Sequence, residues 1–231
     1  MSDDPATASA RAAEEIAKTA GKGIDAATGL GRFFDRIFGS ALDELGGALT
    51  DRARYWRASR LLRLEERYRA ACAIMGEDRV IRPVEPKFAF ALLEAASLED
   101  DDDLQDMFAH LLANATTDGT GVEDRKAYVS ILQELKPLDA RLLVTIARAK
   151  PLTATRVVGS FALVTNLALP RDVQPSFEMP SPDVVQRALW NLVRTACIQP
   201  FTGVGGRDSA EVFVTALGRG LIEACTVRGT R

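Results

Sequence analysis

The sequence predicts a mainly α-helical protein: a helical domain followed by a C-terminal winged-helix-like segment with a small β-hairpin. Three observations carry this. Apolar residues recur at three- and four-residue spacing along most of the chain, the stripe that one helix face requires. Helix punctuation such as Met75-Gly76 and Ser181-Pro182-Asp183 falls where those stripes stop and start. Strand-like residues are confined to two short stretches near 198–201 and 211–215, on either side of the turn Gly203-Val204-Gly205-Gly206. With 231 residues, 47% hydrophobic and 26% charged, the composition is globular, and the chain is long enough to bury a sizeable core.

Residues 1–20 are Ala-rich with alternating charges and offer almost nothing to bury, so a flexible arm is expected. Residues 21–49 hold seven of the 17 glycines, and each glycine inside a helix costs about 1 kcal/mol relative to alanine. Yet Phe33, Phe34, Ile37, Phe38, Ala41, Leu42 and Leu45 keep helical spacing on one face, opposite Arg32, Asp35, Arg36, Asp43 and Glu44. This is an amphipathic segment whose order depends on what it docks against. Residues 50–136 read as the helical domain. Tyr55, Ala58, Leu61, Leu62 and Leu64 stripe its first helix, in which seven arginines between Arg52 and Arg69 face three acids. After the connector Arg82-Pro83-Val84-Glu85-Pro86, two helices are marked by Phe88, Leu92 and Ala95, then by Leu104, Met107, Phe108, Leu111 and Leu112. Between them Glu99–Asp103 places negative charge at a helix N-terminus. A short helix carries Tyr128, Ile131, Leu132 and Leu135 and stops at Pro137.

Residues 137–231 form the winged-helix-like unit. Leu138, Leu142, Leu143 and Ile146 open it, and the apolar run 157–169 fits a buried helix or a strand equally well. Ser181 and Pro182 begin a helix with Val184, Val185, Ala188, Leu189 and Leu192; the hairpin follows, and Leu217, Leu221 and Ile222 begin a last helix. The expected core includes Phe88, Leu92, Leu104, Phe108, Leu111, Leu112, Ile131, Leu135, Leu142 and Ile146.

The chemistry on offer is sparse. One histidine, His110, and three dispersed cysteines, Cys72, Cys197 and Cys225, cannot supply the roughly four clustered ligands of a structural zinc site or a nucleophile–histidine pair. There is no GxxxxGK[ST] loop, no apolar leader behind the acidic N-terminus, and no charge-free run longer than the fourteen residues 157–170, against about twenty for a membrane span. The expectation is a reduced cytoplasmic protein that is not an enzyme and needs no cofactor or metal.

The block Glu94-Ala95-Ala96-Ser97-Leu98-Glu99-Asp100, leading into Leu104-Gln105-Asp106-Met107-Phe108-Ala109-His110-Leu111-Leu112-Ala113-Asn114, resembles the hallmark of the bacterial abortive infection alpha family. Tyr128–Ala140 is similar to that family's second motif and Leu217–Cys225 to its closing block. The resemblance spans roughly residues 45–226 and implies a mostly helical bacterial protein of anti-phage defence. It implies no catalytic residue.

Candidate contact residues follow from the patterning. The stripe Phe33, Phe34, Ile37, Phe38, Leu42 and Leu45 must be buried somewhere, against the chain's own fold, a partner helix, a second copy, or an anionic membrane surface beside Arg52, Arg54, Trp56 and Arg57. Asp35, Asp43 and Glu44 dilute the positive face that a membrane helix favours. In the C-terminal unit Arg187, Arg194 and Arg207 are the nucleic-acid candidates. Yet basic residues outnumber acidic ones only twelve to eight over 131–231, a thin surface for phosphate binding. The expected partners are therefore the chain itself or another defence protein, with peripheral attachment to the inner membrane and a DNA-binding regulator as the alternatives.

Overall fold

The computed structural model describes residues 30–40, 58–76, 80–117, 125–148, 159–160, 180–200 and 211–227. The expected arm 1–20, the glycine-rich stretch ahead of residue 30, and Leu42, Leu45, Arg52, Arg54, Trp56, Arg57 and Arg207 lie outside them.

The fold is mainly helical. Helix α1 spans residues 30–38. It is followed by α2 (Ala58–Met75), α3 (Pro86–Leu98), α4 (Asp102–Thr117), α5 (Arg125–Glu134) and α6 (Pro137–Arg148). Beyond these come β1 (Gly159–Ser160), α7 (Pro182–Arg194), β2 (Ile198–Pro200), β3 (Glu211–Val214) and α8 (Ala216–Ala224). The punctuation is local in origin. Gly76 takes φ +107° just past α2, a backbone region that glycine enters without steric cost. Pro86 and Pro182 sit in the first turns of α3 and α7, where the missing N–H is not needed. Asp101 caps α4 by accepting from the Asp103 and Leu104 amides at 3.0 and 3.2 Å, and Thr215 caps α8 by accepting from Gly218 N. The acidic run thus begins a helix as its charge pattern predicts.

Helix α4 is the hub: α2, α3, α5, α6 and α8 all pack on it. One buried cluster runs from Phe33 to Cys225 and contains every expected core residue, Leu92, Leu104 and Leu112 at 0% exposure among them. The boundary expected at 136/137 therefore falls between two helices that share a core. The expected hairpin is present, with Ile198 opposite Val214 and Pro200 opposite Val212. The other edge of β3 pairs antiparallel with β1, giving the order β1-β3-β2. β1 is the part of the ambiguous apolar run that lies among the described residues, and it is a strand.

Candidate functional site

The acidic run and the basic helix, read separately in the sequence, meet in the structure. Arg60, Arg63 and Arg67 recur every three or four residues on α2 and face the start of α4. Arg60 is 8% exposed; it pairs with Asp100 and donates to Leu98 O at 2.5 Å. Arg63 reaches Asp102 at 3.4 Å, and Arg67 pairs with Asp102 at 2.7 Å and with Asp106. From the other side Arg141 on α6 donates its Nε to Asp103 at 2.6 Å and approaches Asp101 at 3.4 Å. The hydrogen bond to Asp103 pushes the Arg141 pKa up. The like-charge pair Arg63/Arg67 suggested an external anion in the sequence, but here the anions are the chain's own. Mostly exposed pairs of this kind contribute little each. Their effect is to fix the register of α2 and α6 on α4.

The conserving of register continues in uncharged polar groups. Gln105 is fully buried and donates from Nε2 to Ala96 O at 2.6 Å and Glu99 O at 3.1 Å, tying the end of α3 to α4. Tyr68 and Thr116 join α2 to α4 through a buried hydrogen bond of 3.1 Å, and burial pushes the Tyr68 phenol well above its usual pKa. Asn191 on α7 donates to Glu134 O at 3.0 Å and to the buried Asp139 at 2.6 Å.

His110 and Asn114, one turn apart on α4, clamp the end of α8. His110 Nδ1 lies 3.0 Å from Cys225 O and so carries the ring proton in the neutral form. Asn114 Nδ2 donates to Ala224 O at 2.7 Å and to Thr226 O at 3.1 Å. The carbonyls left over at a helix C-terminus are satisfied here by another helix rather than by solvent. His110 is thus half-buried and bonded, where its place on the polar side of the stripe suggested a solvated residue, and Asn114 caps α8 instead of ending its own helix. A cleft of about 720 Å³ opens beside this clamp. Asp103, Asp106, Met107 and His110 line it from α4, Arg141, Val144, Thr145 and Arg148 from α6, with Ile74 and Val227 at its ends.

Helix α1 is seated on the body. Phe33, Ile37 and Phe38 are 0–2% exposed. The Phe33 ring stands edge-on to Tyr68 at 5.7 Å, and Phe38 packs against Phe90 at 5.1 Å. Phe34 is half-buried between Phe33 and Phe38. Val84 N donates to Ile37 O at 3.0 Å, and Gly39, at φ +55°, lies against the Pro83 ring. Of the nucleic-acid candidates, Arg187 is exposed on α7, whereas Arg194 is held by Glu134 and Asn191. Trp190, 55% exposed, stands on the same helix.

The Arg60/Arg63/Arg67 seam and the His110/Asn114 clamp are what sequence reasoning missed. The matching three- and four-residue steps of Arg60-Arg63-Arg67 and Asp102-Asp106 were the available signal.

A family model described as abortive infection alpha matches residues 57–225. The chain belongs to that family. No curated relative and no solved structure matches it.

Proposed function

We propose that the chain is a non-enzymatic anti-phage protein that acts by binding or assembly, with α1 as the element that exchanges partners. The observation that carries this reading is the α1 seat. A nine-residue helix has little stability alone; its order comes from three side chains inserted beside Tyr68, Val84 and Phe90. This is helix-in-groove recognition within one chain, and the same groove accepts α1 of a second copy equally well. Released, α1 presents Phe33, Phe34, Ile37 and Phe38 to a partner or to the inner-membrane surface. Membership of the abortive infection alpha family supports the defensive setting.

Two variants test it from opposite sides. Phe90→Ala removes the ring under Phe38 and loosens the seat; cells carrying it should arrest without phage, with the protein in larger assemblies or on membranes. Gly39→Cys with Pro83→Cys locks the seat. A Cβ at Gly39 lies 3.2 Å from Pro83 Cβ, close to disulfide spacing of about 3.5–4.5 Å, at the cost of a strained φ at residue 39. Added to Phe90→Ala, the oxidised lock should keep the purified protein monomeric and off anionic liposomes, and reductant should restore assembly. A harmless and fully protective Phe90→Ala variant would return α1 to scaffolding.

A second reading is a winged-helix regulator that binds DNA. The order β1-β3-β2, with α7 immediately ahead of β2, supports a winged-helix arrangement. Because Arg194 is engaged by Glu134 while Trp190 is exposed, α7 is better suited to protein contact than to phosphate. A mobility shift at low salt that is lost in Arg187→Ala would favour DNA instead.

A further inference from the structure

The cleft between α4, α6 and the end of α8 has a lining whose hydrogens are already spent. His110 gives its Nδ1 proton to Cys225 O, which leaves Nε2 of the neutral ring as an acceptor. Thr145 donates to Arg141 O at 2.7 Å and Thr226 to Ile222 O at 2.7 Å, so both hydroxyls have only lone pairs to offer. Asp103 receives Arg141 on Oδ2 and Asp106 receives Arg67 on Oδ1, which leaves one oxygen of each carboxylate. Arg141 is committed to Asp101 and Asp103. Among the described lining residues Arg148, exposed at the end of α6, is the remaining charged donor, and it stands at the rim.

The acceptors also have an order. Asp103, Asp106 and His110 fall at i, i+3 and i+7 on one face of α4, a ladder with steps of about 4.5 and 6 Å along the helix axis at a rise of about 1.5 Å per residue. Met107 and Val144 supply apolar surface between the rungs, with Ile74 and Val227 at the two ends. A ligand that fits carries several N–H donors and positive charge on an apolar stem. Anions are disfavoured, since the ladder would meet them with carboxylates.

We propose that this cleft binds a linear alkylamine, a polyamine whose ammonium groups are separated by three or four methylenes. The ammonium groups donate to Asp103, Asp106 and His110 Nε2, while the methylene stem covers Met107 and Val144. The test is calorimetric titration of the full-length protein with spermidine near physiological ionic strength, where diffuse attraction to surface acids is screened. The expected result is one saturable site. It should weaken about tenfold or more in Asp103→Asn/Asp106→Asn and about threefold in Thr145→Val, which keeps every charge of the seam. Asp183→Asn on α7 should bind as the native chain does, and diacetylated spermidine, stripped of its terminal charges, should not bind. Absence of saturable heat, equal binding of the acetylated compound, or indifference to both cleft variants would overturn the assignment.

Discussion

Replacing Asn114 by Ala removes two hydrogen bonds from the end of α8 and nothing else of size. The bond to Ala224 O is the shorter, at 2.7 Å, and half-buried; the one to Thr226 O, at 3.1 Å, is exposed. Water can replace the second at little cost. The first leaves a carbonyl with restricted access to solvent, so the loss should be about 1–2 kcal/mol in total. For a chain of this size 1 kcal/mol corresponds to roughly 2–4 °C in Tm, so melting should fall by about 2–6 °C. Calorimetry reads that shift. Amide exchange reads its location: the Cys225 amide, bonded to Leu221 O at 2.9 Å, should exchange faster while amides in α2 and α3 do not. His110→Ala attacks the same carbonyl cluster, so the two substitutions should be less than additive, because a frayed end has less left to lose. Unchanged Tm and unchanged Cys225 exchange in Asn114→Ala would refute the clamp. Protection against phage that vanishes with stability intact would make Asn114 a contact residue instead.

Other outcomes follow from the same packing. Gly220→Ala should destabilise by a few kcal/mol in thermal melts, because a Cβ there collides with the Tyr128 hydroxyl; Tyr128→Phe in the same chain should recover much of the loss. Leu111→Ala, at 1% exposure, should cost about 2–5 kcal/mol in urea unfolding, and a smaller effect would mean that the cavity collapses. Burial raises the Tyr68 pKa above the ordinary 10.0, so the folded state keeps a proton that the unfolded state releases. Stability is therefore complete below about pH 10 and should fall above it by up to about 1.4 kcal/mol per pH unit. Tyr68→Phe should flatten that decline by the share due to Tyr68. Burial likewise raises the pKa of Cys197 and Cys225, so at pH 8 both thiols should react with alkylating reagents only as fast as the fold opens.

The sequence by itself determined the helices, their order and the core. Periodicity and punctuation are local properties, and a stripe such as Leu104, Phe108, Leu111 and Leu112 has one way to be buried in a soluble helix. The hairpin was legible for the same reason, and the family through the order of its motifs. Tertiary structure decided which surfaces those elements share, and with them the meaning of the polar residues. Arg63 and Arg67 look like an anion site until Asp102 and Asp106, thirty-five or more positions away, arrive opposite them. His110 and Asn114 look solvent-facing until α8, more than a hundred residues later, brings its last carbonyls within 3.1 Å. The apolar face of α1 specifies that it must be covered, not by what; the groove beside Tyr68, Val84 and Phe90 exists only after α2 and α3 have packed. Hydrophobic pattern is written along the chain, whereas charge pairing and capping depend on which distant segments the packed core places within about 3 Å of one another.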